Sequence, residues 1–104
     1  SAEVLAEVAG DVADARATLE DLAASYAAVD PELAARLQEY AEHVRLAEQA
    51  LATPDADPLG VLAELIAASS GVAWSSDPAR QARVQAAIAG VQFLLRTARR
   101  RLEA

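Results

Sequence analysis

Three polar side chains fall on otherwise apolar helical stripes of this chain: Tyr40, Ser69 and Gln81. A buried hydroxyl or amide without a partner costs about 1–3 kcal/mol. Such groups therefore meet either another part of the chain or a guest. Apolar walls with a few convergent polar groups are what a small-molecule site looks like. Tyr26 and Trp74 fall near the same level and could stack on a guest or close over it, and Ala73 would leave it room. His43 is the single histidine. Its direction is roughly 90° from the apolar stripe of its helix, on the flank shared with Arg36 and Ala50. A haem axial ligand needs an inward imidazole facing small residues, so the flank position favours a boundary or solvated histidine, with haem ligation as an alternative. Asp11 and Glu48 lie roughly 50–60° off their stripes. Either would be a general base only if burial raised its pKa; paired with an arginine it would do no chemistry. We therefore assign no catalytic residue. With no second histidine, no Glu-x-x-His run and no cysteine, neither a di-metal bundle site nor a thiolate metal site is expected.

These residues are positioned by helices. Asp30-Pro31, Asp57-Pro58 and Asp77-Pro78 each read as a helix start. The aspartate accepts orphan N–H groups of the first turn, and proline suits the first helical position because its missing N–H is not needed there. With the opening segment this predicts four helices, over about residues 2–29, 31–52, 58–75 and 78–103. Each carries apolar residues at alternating steps of three and four, as at Leu5, Val8, Val12, Ala15, Leu19, Leu22, Tyr26 and Val29. That is the seam of helices packed at shallow angles. Short connections force antiparallel neighbours, so the expected fold is all-α: a single-domain, up-down-up-down four-helix bundle. The stretch from Ser69 to Ser76 has two readings. Gly71 could end helix 3 in a left-handed conformation, or the helix could run to about Ser75. We take the longer helix, because Ala73 stays in phase with Ser69 and Ile66.

Composition narrows the partners. The net charge of −7 favours solubility and opposes nucleic-acid binding, which needs a basic face. The longest uncharged stretch, Leu65 to Ser76, is too short and too broken to span a membrane. The opening residues place acids where a signal peptide would have a basic region, and nothing identifies a compartment. A monomer is expected, with Phe93 and Leu46 facing outward as a minor alternative contact surface. Gly10 and Gly90 interrupt helices at about 1 kcal/mol each relative to alanine; open surface or close approach by a partner would each account for them.

Antiparallel folding of the seams gives aliphatic layers in one half, such as Val12, Ala47, Leu62 and Val91, and a polar, aromatic level around Tyr40, Ser69 and Gln81 in the other. Unbroken heptads, three Asp-Pro starts, minimal loops and an alphabet lacking lysine, asparagine and methionine together resemble de novo designed four-helix bundles. An alanine- and arginine-rich domain from a high-GC bacterium would share much of this composition. The resemblance implies binding of an apolar, aromatic drug-like molecule in the interior, without catalysis and without a resident cofactor. A haem- or porphyrin-binding bundle using His43 and a structural or interaction domain with no ligand are the alternatives.

Overall fold

The computed structural model describes residues 2–104. The three Asp-Pro starts close as their chemistry requires. Asp30 Oδ1 accepts the Leu33 amide at 3.2 Å, Asp57 Oδ1 that of Gly60 at 3.1 Å, and Asp77 Oδ1 that of Arg80 at 3.0 Å. Each proline occupies the opening of its helix. The elements are α1 (Ala2–Tyr26), α2 (Pro31–Leu51), α3 (Pro58–Ala68) and α4 (Pro78–Glu103), and no strand occurs among the described residues.

Two boundaries differ from expectation. Helix α1 ends at Tyr26, not at Val29. Neighbouring helix axes lie about 8–10 Å apart, and one residue of linker spans at most ~3.6 Å. Asp30 alone cannot make that crossing, so Ala27 to Val29 leave the helix as a turn, and the Tyr26 carbonyl accepts both the Val29 and Asp30 amides. Val29, the last position of the predicted seam, is 61% exposed as a result.

Helix α3 stops at Ala68, well short of the predicted Ser75. The Ser69 amide turns to the Ile66 carbonyl at 3.3 Å, and the Ser69 and Ser70 hydroxyls donate to that same carbonyl at 2.9 and 3.0 Å. Serine hydroxyls compete in this way with continued helix. Gly71 then turns the chain with φ 69°, a conformation open to glycine at no steric cost. The chain runs on as an irregular loop to Asp77, with Trp74 buried and Ala73 exposed.

Cross-helix contacts set the directions. Arg101, near the end of α4, pairs with Asp11 and Glu7 near the start of α1. Arg16 of α1 pairs with Glu48 of α2, Tyr40 and His43 of α2 meet Leu65 and Glu64 of α3, and Ser69 meets Gln92 of α4. Neighbours are therefore antiparallel. The helices form a ring in which α1 faces α3, and α2 faces α4, across the core. The seams supply that core: Val8, Val12, Leu19, Leu37, Val44, Leu62, Val84, Val91 and Leu95 are all essentially inaccessible to solvent. The seam fails only toward helix ends, where Leu5 and Leu59 join Val29 on the surface. At 11 residues, α3 is about half as long as its neighbours, so the α3–α4 loop must cover the remaining length of the core.

Candidate functional site

A cluster of polar ties surrounds the end of α3; Tyr40, Ser69 and Gln81 belong to it, each with its own partners in the chain and not converging on one space. Its cause is the missing length of that helix. When α3 tightens at Ser69, the Leu65 carbonyl loses the amide that a continuing helix would provide. The Tyr40 hydroxyl donates to that carbonyl at 2.6 Å from the facing helix. Tyr40 is 6% exposed. Burial pushes its phenol above its ordinary pKa, and the adjacent Ser69 hydroxyl offsets part of the rise.

Ser69 and Gln81 have comparable roles. The Ser69 hydroxyl, buried, donates to the Ile66 carbonyl and accepts from Gln92 Nε2 at 2.8 Å. Gln81 grips the loop from the first turn of α4: its Oε1 accepts the Ser75 amide at 2.9 Å and its Nε2 donates to the Val72 carbonyl at 3.0 Å. Two further ties hold the same loop. Arg36 Nη1 donates to the Trp74 carbonyl at 3.0 Å, and the Ser75 hydroxyl donates to Asp30 Oδ2 at 2.8 Å. The Ser75 bond, then the Leu33 amide, hold the Asp30 carboxyl below the usual carboxylate range, with Arg80 at 3.6 Å adding to the effect. Among the described residues no buried side-chain nitrogen or oxygen lacks a partner.

Trp74 is the hydrophobic counterpart of these ties. It is 3% exposed and its ring lies 5.9 Å from that of Tyr40, tilted by 60°, an arrangement that aromatic pairs favour. It joins the core cluster from the loop that follows α3.

Outside this pair lies a surface recess of about 250 Å³. Arg36, Glu39, Tyr40 and His43 of α2 form one side; Ala68, Val72 and Trp74 form the other. Three of the predicted site residues, Tyr40, Trp74 and His43, thus meet at one place, on the outside of the bundle. Ser69 instead borders a second recess, of about 260 Å³, between the loop and α4, in a wall it shares with Val72, Trp74 and Gln92. Gln81, Tyr26 and Ala73 line neither. Tyr26 packs against the core. Sequence reasoning did not select Arg36, Glu39, Ala68 or Val72 for the site. A signal for the first two was present: residues 36, 39, 40 and 43 recur at the three- and four-residue spacing that places side chains on one helical face.

His43 stands at the rim, its side chain 46% exposed, with Nε2 3.8 Å from Glu64 Oε1. It also borders a third recess, of about 210 Å³, between α2 and α3. The two candidate general bases are held by arginines. Asp11 pairs with Arg101, and both oxygens of Glu48 accept from Arg16 Nε, at 2.9 and 3.0 Å. No group of three or more His, Cys, Asp or Glu side chains among the described residues is placed to hold a metal ion, and no described helix is long and apolar enough to cross a membrane. At Gly10 and Gly90 an added Cβ would meet nothing within 4 Å, so neither lies in close contact within the chain. Set against known proteins, the chain matches no family model, no curated protein and no solved structure.

Proposed function

We propose that this chain is a non-catalytic helical module, designed in the manner its sequence resembles, that binds a small aromatic molecule. The binding position is the outward recess over Tyr40 and Trp74, not the bundle interior. One observation carries this reading: two aromatic side chains, a histidine and two side chains of opposite charge border a single recess of about 250 Å³. That is a mixed apolar and polar lining of the kind ligand sites use, in a volume just below their usual range of roughly 300–1,000 Å³ and so suited to a small ligand. The interior level first singled out is less suitable, because its hydroxyls and amides already have partners in the chain.

Trp74 is the only tryptophan, so its emission reports directly on the recess. Titration with quinoline should change that emission saturably. Ala68→Phe, which adds a ring from an exposed position on the recess wall, should abolish the response with little loss of stability. An unchanged response in that variant would place the ligand elsewhere.

A second reading rests on His43 alone, the side chain common to two recesses. It would make His43 the single axial ligand of a haem. Haemin titration decides between the two: a Soret shift abolished by His43→Ala supports the porphyrin, and its absence removes it.

A further inference from the structure

Resting on the recess reading above, the geometry points to a positively charged ligand: we infer that the recess over Tyr40 and Trp74 takes an aromatic cation, with Glu39 as its charge partner. Three charged or titratable side chains line the recess with the two rings: Arg36, Glu39 and His43. Arg36 is engaged twice, through Nη1 on the Trp74 carbonyl at 3.0 Å and through Nη2 at 4.0 Å from Glu32. His43 faces Glu64 at 3.8 Å. The Glu39 side chain makes no hydrogen bond or ion pair among the described residues, whereas those of Arg36, Glu42 and His43 do. Its carboxylate is the uncommitted charge of the recess.

A second source of negative potential comes from the backbone. Helix α3 ends at Ala68, in the wall of the recess. The C-terminal end of a helix carries a partial negative charge and favours cations; here the Leu65, Ile66 and Ala67 carbonyls already accept hydrogen bonds, all from neutral donors, so only the dipole of the helix contributes. A third is the molecule's net charge of −7, which draws cations from solution. The positive charge of Arg36 opposes these, but it is already faced by Glu32. The Tyr40–Trp74 pair supplies the apolar floor for the aromatic part. An anionic ligand would meet Glu39 and the helix end with no free cation to receive it. A neutral one would partly shield the Glu39 carboxylate from water without replacing that water, which costs free energy.

The test uses three bicyclic probes of similar size: N-methylquinolinium, quinoline and 2-naphthoate. Each is titrated into the full chain with Trp74 emission and the melting temperature as readouts. The quinolinium should bind most tightly and the naphthoate least. Glu39→Gln lies on an exposed position and should preserve the fold. It should weaken quinolinium binding about two- to fivefold, the size of one partly exposed charge contact, and leave quinoline unchanged. Added salt should reproduce that loss in the parent protein. Quinoline and quinolinium binding equally well, or quinolinium affinity indifferent to Glu39→Gln, overturns the cation inference while leaving the recess occupied. No response to any of the three removes the recess reading itself.

Discussion

The two halves of this bundle are held by different means. Where all four helices run together, the interior is aliphatic: Val12, Leu62, Val91 and Leu95 are sealed from solvent with no polar side chain among them. Where α3 has ended, the core is closed by nine residues of irregular chain, and the closure depends on directed bonds. Tyr40 caps an orphan carbonyl, Gln81 and Arg36 hold loop backbone, and Asp30 holds Ser75. The first half is stabilised by area removed from water, about 25 cal/mol per Å². The second half gains less from each contact, but a half-removed contact there is costly, because it strands a polar group. Polarity on a buried stripe therefore need not signal a ligand. It can mark the place where a secondary-structure element stops.

Substitutions on either side can break this comparison. The largest effect should come from the aliphatic half. Leu62→Ala deletes a fully buried side chain and should cost about 2–5 kcal/mol in denaturant unfolding. Next, Tyr40→Phe leaves the Leu65 carbonyl without its donor while keeping the ring against Trp74. It should cost about 1–3 kcal/mol. A larger loss for Tyr40→Phe than for Leu62→Ala would reverse the assignment of which half dominates stability. The same logic predicts that leucine at both Ser69 and Gln81 lowers the melting temperature, although each adds an apolar side chain to a predicted seam position. The bonds lost would include both grips of Gln81 on the loop.

Glycines sharpen the contrast at about 1 kcal/mol. Gly71→Ala must adopt φ near 69° and should destabilise by about that amount. Gly10→Ala and Gly90→Ala lie within regular helix with free space around the new methyl, so each should raise stability by up to about 1 kcal/mol. Thermal melts of the three variants should separate in sign.

The smallest effect concerns acid. The folded-state pKa of Asp30 is lowered, first by Ser75 and then by the Leu33 amide. The stabilisation it gives is complete above the unfolded value of about 3.9 and is lost as pH falls through the folded one. Melting temperatures from pH 6 to pH 2.5 should therefore converge for the parent and Asp30→Asn at the acid end. Curves that stay parallel would show that the Asp30–Ser75 tie adds no charge-dependent stability.

What was legible in the sequence follows a physical division. The Asp-Pro starts could be read because a cap is chemistry between residues three apart. The aliphatic layers could be read because burial follows helical period. The ends of α1 and α3 are not legible from phase, because local chemistry overrides it there. Val29 and Ala73 continue the stripe on paper, yet closing a turn needs residues in one case and Ser69-Ser70-Gly71 diverts the helix in the other. The inward polarity of Tyr40 and Ser69 was visible, but their partners were not. The Leu65 carbonyl is free to accept Tyr40 only because α3 ends three residues later. Arg36 and Glu39 lie beside the seam, where helical period carries no signal of burial or of a recess.

The loop's anchors come from three separate places: the α1–α2 junction at Asp30, the second helix at Arg36 and the fourth at Gln81. Gln81 reaches only six and nine residues back along the chain, but the Asp30 and Arg36 ties span 45 and 38 residues and need α2 and α4 together, so we expect this long-range anchoring to complete late on the folding route. Weakening it should hasten unfolding and leave the refolding rate almost untouched. In stopped-flow kinetics, Arg36→Ala, which removes the bond to the Trp74 carbonyl, should raise the unfolding rate alone, whereas slowed refolding would show this anchoring engaging early.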